Sequence, residues 1–216
     1  MNIVERMTRF PWAEIVRTWD SGRKSVVLLT FALGGILLAG CQRSVALEVD
    51  PPRRAPKITG VDWNDEPFSL EGLRGSVVVV SFGYTNCPDV CPTTLSRLRK
   101  AVAGIEGVEV VFFTVDPERD TKERLASYIP AFAADFHAPT LEPAVFAKMR
   151  KAFDVVATRH YAAPGTRNHT ARYMIDHTSG VFLIDPEGMV RVRIPAEATP
   201  EQLRAEIQRL AKGARA

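Results

Sequence analysis

The run Val77-Val78-Val79-Val80-Ser81-Phe82 limits what this chain can become more than any other stretch. It is apolar and β-branched with no polar alternation, the pattern of a strand buried on both faces. Such a strand needs covering layers above and below, which points to the α/β class. Val108 to Val115 has the same character. Between the two runs, Leu95, Leu98, Val102 and Ile105 recur at helical spacing, so a helix with one apolar face is expected there.

The remaining elements fall into order around these. Ile58 to Trp63 and Phe68-Ser69-Leu70-Glu71-Gly72 predict an opening hairpin. Asp120 with Glu123 has the form of a capping box, opening a helix striped by Leu125, Tyr128, Ile129 and Phe132. A further helix is expected over about 143–153. Val181 to Ile184 and Val190 to Ile194 read as strands joined by the turn Asp185-Pro186-Glu187-Gly188. Thr199-Pro200-Glu201-Gln202 starts a last helix, with Leu203, Ile207 and Leu210 on its inner stripe. Ala162 to Arg172 is polar and reads as a surface loop or hairpin. The order strand, helix, strand, helix, helix, strand, strand, helix predicts a thioredoxin-like α/β fold over residues 58–216, with one inserted helix and an antiparallel edge hairpin.

The N-terminal quarter reads as an address. Arg23 and Lys24 precede an apolar run over 25–40, the layout of a bacterial export signal, and the run is short of the roughly 20 residues a spanning helix needs. It ends in Leu38-Ala39-Gly40-Cys41, which resembles the lipobox of bacterial lipoproteins, where the cysteine carries the lipid. Residues 1–40 are therefore expected to be an export signal or an uncleaved membrane anchor, with Cys41 the lipid attachment point in the first case. Residues 41–57, polar and proline-rich, are expected to be a flexible tether. Either anchor places the folded part on the periplasmic side of a bacterial membrane. The net charge of +3 is slight and no dense basic block occurs, which gives a nucleic-acid-binding role little support.

With Cys41 in the address, Cys87 and Cys91 are the one cysteine pair of the folded part. They follow the first buried strand and open a helix, where thioredoxin-like proteins keep reactive sulfur. A helix N-terminus lowers a thiol pKa from about 8.5. In Cys87-Pro88-Asp89-Val90-Cys91 the sulfurs stand one residue further apart than in the usual redox motif. If the helix starts near Pro88, both fall on one face of its first turn, and the pair can close a disulfide or offer two soft donors to a metal. A peroxidase is disfavoured. Thr85 stands two positions before Cys87 where three are wanted, and no proline lies between Gly75 and Cys87.

Soft sulfur selects Cu(I), and an imidazole suits the third position. His137, His160 and His169 read as solvated surface histidines. His177, in Met174-Ile175-Asp176-His177-Thr178-Ser179-Gly180, precedes the strand whose entrance faces the cysteine loop in a thioredoxin-like fold, and is the expected third ligand.

At these residues the chain resembles the Sco/SenC family of copper proteins. The resemblance rests on FGYTNCPDVCPTTL, FFTVDPERDT and YMIDHTSGVFLIDPEG, together with the membrane-directed N-terminus. It implies copper held by Cys87, Cys91 and His177, and a role in assembling the binuclear copper centre of cytochrome c oxidase subunit II. It also implies Asp89 set just outside the ligands or facing a partner. Asp116 and Arg119 fall at the C-terminal end of a strand, where sites are often built, and read either as surroundings of the site or as an ion pair that fixes the loop. Two functions are consistent with this. One is a copper metallochaperone acting on subunit II or through another copper chaperone, with no substrate turnover. The other is a thiol–disulfide oxidoreductase that keeps the oxidase cysteines reduced. Both use Cys87 and Cys91, and copper binding alone requires His177.

Overall fold

The computed structural model describes residues 46–161 and 173–213. The apolar run over 25–40, Cys41, His169 and the expected loop 162–172 lie outside the described residues. The elements are β1 (Leu47–Arg54), β2 (Thr59–Val61), β3 (Pro67–Ser69), β4 (Val77–Gly83), α1 (Val90–Val102), β5 (Val108–Thr114), α2 (Lys122–Tyr128), α3 (Pro143–Ala152), β6 (Ala157–Tyr161), β7 (Tyr173–His177), β8 (Val181–Ile184), β9 (Met189–Ile194) and α4 (Pro200–Gly213).

Five strands form one mixed sheet in the order β1-β9-β8-β4-β5. β4 runs parallel to β5 and antiparallel to β8, and every residue of β4 is buried. Alternation along the strand divides its valines between two cores. Val77 and Val79 pack with Leu95 and Leu98 of α1 and Leu203 and Ile207 of α4. Val78, Val80 and Phe82 face Met149 of α3, Phe153 and the β7 residues Tyr173 and Ile175. This is the thioredoxin-like α/β fold that the sequence predicts, with α3 as the inserted helix.

The tether expectation is corrected over 47–54. This segment is β1, registered with β9 through Leu47–Arg193, Glu48–Val192, Arg53–Val190 and Arg54–Met189, with a bulge between Glu48 and Arg53. Pro51 and Pro52 have no N–H to give a ladder, so a proline-bearing segment can join a sheet only at an edge or a bulge. The capping of α2 is also corrected. Thr121 is the cap, its hydroxyl accepting the Arg124 N–H at 3.3 Å, and Asp120 points into the protein instead. The last helix does carry the expected box: Thr199 N donates to Gln202 Oε1 at 2.9 Å, and Gln202 N to Thr199 Oγ1 at 3.3 Å.

A two-stranded ribbon, β6 with β7, was not expected, because the DHTSG stretch reads as a loop. Its register pairs Ala157 with His177 and Arg159 with Ile175. Tyr173 and Ile175 are buried while Met174 and Asp176 are exposed, so one face of β7 is turned into the core.

Candidate functional site

Two segments build the site: the loop from β4 into α1, and the end of β7. α1 begins at Val90, so Cys87 lies in the loop ahead of it and Cys91 in its first turn. The expectation of both sulfurs within that turn is corrected, since Pro88 is not helical. Cys87 N donates to Tyr84 O at 3.2 Å, which curls the loop, and Cys91 N donates to Cys87 Sγ at 3.5 Å. Cys87 sulfur thus takes one of the N–H groups that a helix start leaves without an internal partner. Both thiols are free, Cys87 half-buried and Cys91 only 3% exposed.

His177 closes on this pair. Its Nε2 stands 3.6 Å from Cys91 Sγ, and its Nδ1 is 2.9 Å from Thr178 O. A carbonyl can only accept, so Nδ1 carries a hydrogen and Nε2 is the ring nitrogen turned toward the sulfur. Tyr84 packs edge-on against the imidazole, with ring centroids 6.0 Å apart. Gly180, with φ +99°, lets the chain turn back into β8 at a point where a Cβ would strike Ile194 O.

Burial decides the state of Cys91. It pushes the Cys91 thiol far above the ordinary range, and the neighbouring Cys87 thiol and Asp120 add to the effect. Burial works against the thiolate that a helix N-terminus would favour at this residue.

The other expected residues have distinct places. Asp89 occupies the cap position of α1 and is exposed; its carboxylate accepts from Thr93 Oγ1 at 3.3 Å and from no helix amide. Asp116 is fully buried and pairs with Arg119. It accepts the Tyr173 hydroxyl at 2.7 Å, and burial with this bond pushes the Tyr173 phenol up to about 12. His137 is no surface histidine: its Nδ1 is 2.6 Å from Oδ2 of the buried Asp62. His160 is exposed and pairs with Asp176 at 2.9 Å on the outer face of the ribbon.

Two residues of the site's frame escape sequence reasoning. Asp120, 1% exposed, accepts from Thr85 N at 3.0 Å and Thr85 Oγ1 at 2.6 Å, and from Thr114 Oγ1 at 2.6 Å. It pins the cysteine loop to the end of β5. Burial raises its carboxyl pKa, and these three donors work against that rise. Tyr84 places its hydroxyl under Ile175 N, accepting at 3.2 Å, and so ties the cysteine loop to β7. No periodicity marks either residue, and adjacency to the FGYTNC and DPERDT motifs was the only available signal.

The donor set suits a soft ion. A sulfur and a nitrogen on one d¹⁰ ion, at bond lengths of about 2.3 and 2.0 Å, stand roughly 3.5–3.7 Å apart at tetrahedral or trigonal angles. The gap between Cys91 Sγ and His177 Nε2 is 3.6 Å. Among the described residues no three His, Cys, Asp or Glu side chains are already gathered into a closed metal cluster. Cys87 sulfur rests on the Cys91 amide instead.

Residues 50–212 match the SCO1/SenC family model. The chain is 32% identical over 185 residues to the human mitochondrial SCO1 homolog, covering 74% of this chain and 57% of that protein's own length. Among solved structures, Bradyrhizobium japonicum ScoI with copper bound superposes with a TM-score of 0.62 at 29% identity, covering 73% of this chain and 99% of that one. Apo Sco1 from Thermus thermophilus gives 0.65 at 29% identity, covering 79% and 99%.

Proposed function

The chain belongs to the SCO1/SenC family, and on that premise we propose that it binds copper as Cu(I) through Cys87, Cys91 and His177. It then delivers that copper, or enables its insertion, at the binuclear centre of cytochrome c oxidase subunit II, directly or through another copper chaperone. The observation that carries this reading is His177 Nε2 held 3.6 Å from Cys91 Sγ, with the ring oriented by the bond from Nδ1–H to Thr178 O. Thiol–disulfide exchange has no need of a nitrogen there, and a soft cation does.

The residues divide the work. Cys87, the more exposed sulfur, is where copper arrives and where a partner's ligands can reach it. Cys91 supplies a dry donor that must lose its proton as copper enters, so uptake releases protons and affinity rises with pH. His177 offers the ring nitrogen turned toward Cys91. Anchoring through Cys41, with the domain in the periplasm, belongs to the same proposal. The described helices include none long and apolar enough to cross a membrane.

A second reading, reduction of the oxidase cysteines, draws on the two free thiols, one of them half-exposed. His177→Ala separates the two. On the copper reading the reduced full-length protein binds one copper per chain, and His177→Ala lowers Cu(I) affinity at least about tenfold, roughly 1.4 kcal/mol. Exchange with a small disulfide should stay within about twofold, because thiolate fraction and access govern it. Normal oxidase assembly by His177→Ala cells at limiting copper, together with failure by Cys87→Ser cells, would make the protein a reductase.

A further inference from the structure

His177 rides on β7, and among the described residues β6 and β7 form their own sheet, without a ladder to the five-stranded one. The distance between imidazole and sulfur is therefore set by side chains. Tyr173, Ile175 and His177 alternate onto one face of β7, and that face is held at its first two positions. Tyr84 hydroxyl accepts from Ile175 N, as described above. The other hold is at Tyr173, and there Arg119 is the central group.

Arg119 Nη1 donates to Tyr173 O at 3.0 Å, and its Nε pairs with Asp116. The flat guanidinium lies 3.7 Å from the Tyr173 ring centroid and 5.7 Å from that of Tyr84, the ring that packs on His177. The Tyr173 hydroxyl donates back to Asp116, which closes a ring of contacts. Arg159 on β6 reaches Glu118 at 2.8 Å and adds a second tie to the same loop. Arg119 Nη2 is buried and makes no hydrogen bond. A buried donor left without a partner carries a desolvation cost. A shorter cation would avoid that cost but could not bond Asp116, bond the Tyr173 carbonyl and stack on its ring at once.

We propose that Arg119 is the positioning residue for His177: it fixes β7 against the end of β5, and so sets where the imidazole meets the sulfurs. The proposal rests on the copper reading of the same site. Its prediction is that losing Arg119 weakens copper binding through the histidine and leaves the thiols as they were.

The test is a double-mutant cycle in full-length protein, with Cu(I) alone as the probe and a chromophoric Cu(I) chelator as competitor. Arg119→Met should weaken binding about 10- to 100-fold, the usual effect of removing a group that orients a metal-bound histidine. In a His177→Ala background the same change should cost less than about twofold. Arg119→Lys should recover only part of the loss. Tyr173→Phe keeps the ring and removes only the bond to Asp116, so it should give a smaller loss of the same sign even if Arg119→Met folds poorly. A complementary readout is the nitrogen NMR signature of the His177 ring, whose fixed tautomer should give way to exchange in Arg119→Met. Equal losses in both backgrounds, or unchanged affinity in both Arg119→Met and Tyr173→Phe, would overturn the proposal while the copper site stood. Wild-type affinity in His177→Ala would remove the site reading and this proposal together.

Discussion

A Cβ placed on Gly83 would lie 2.7 Å from Phe112 Cε2 and 3.0 Å from Cys91 Sγ. Both are closer than packed atoms tolerate, and neither neighbour has room to withdraw, since Phe112 and Cys91 are buried. The last residue of β4 is a glycine because the sulfur occupies the space a side chain would take. Gly83→Ala should destabilise the apo protein by about 1–3 kcal/mol through overpacking. It should also weaken Cu(I) binding by pushing Cys91 off its line to His177. Urea denaturation and chelator competition measure the two effects. An alanine variant with unchanged stability and affinity would mean that the end of β4 yields more easily than this packing implies. At the same scale, Cys91 shows how position works against type: the motif suggested an activated thiolate, and burial pushes the thiol pKa up.

At the scale of elements, β1 is the part that sequence patterning concealed. It covers the outer edge of β9, packs Val49 on the core, and ties Glu48 to Arg209 at 2.9 Å and Arg53 to Asp154 at 3.0 Å. A chain beginning at residue 57, which the tether expectation would recommend as the soluble domain, lacks this strand and leaves the β9 edge open. Compared with a chain beginning at residue 44, it should melt at least about 4 °C lower, or roughly 1 kcal/mol. It should also associate as concentration rises, since an open edge pairs with copies of itself. Equal melting and monomeric behaviour of both chains would relegate β1 to decoration. The helices, by contrast, were legible in their stripes, though not in their ends: α1 stops at Val102, short of Ile105, and α2 at Tyr128, short of Phe132. Leu95, Leu98, Leu203 and Ile207 recur at the helical period, and all four are buried in the expected core. β6 and β7 were not legible, because each finds its partner across 162–172 and neither has a run long enough to announce a strand.

Across the whole molecule, the far edge of the sheet is closed as well. His137 N donates to Val110 O at 2.9 Å and Phe112 N to His137 O at 2.8 Å, and Val61 bridges to Thr140, so the opening hairpin is latched over β5. Asp62 secures the latch by accepting from Ala138 N at 2.7 Å and pairing with His137. The hydrogen bond to Asp62, followed by the charges of Asp62 and Glu109, raises the His137 pKa. A histidine whose folded pKa lies above its unfolded value stabilises fully below about pH 6.5, and loses that contribution as pH rises through the folded value. Apo protein should therefore lose stability, seen as a falling Tm, as pH rises from about 6.5 through the folded value. His137→Gln should flatten this dependence. A wild-type Tm that holds steady or rises over that range relative to the variant would contradict the latch.

The sequence by itself determined the buried β4 and β5, the stripes of α1 and α4, and the placing of Cys87 and Cys91 at a strand-to-helix junction. Each of these is written in neighbouring residues, as an unbroken β-branched run, a period or a cap. His177 as the candidate third ligand was also legible, from its place ahead of β8. Only the tertiary structure decided which ring nitrogen faces the sulfurs and which sulfur is dry. It also recruited β1, Tyr84 and Asp120 to the frame and gave Arg119 its contacts there. Those outcomes depend on partners far apart in the chain, where a hydrogen bond or a buried charge has no local signature until the fold brings its other half within reach.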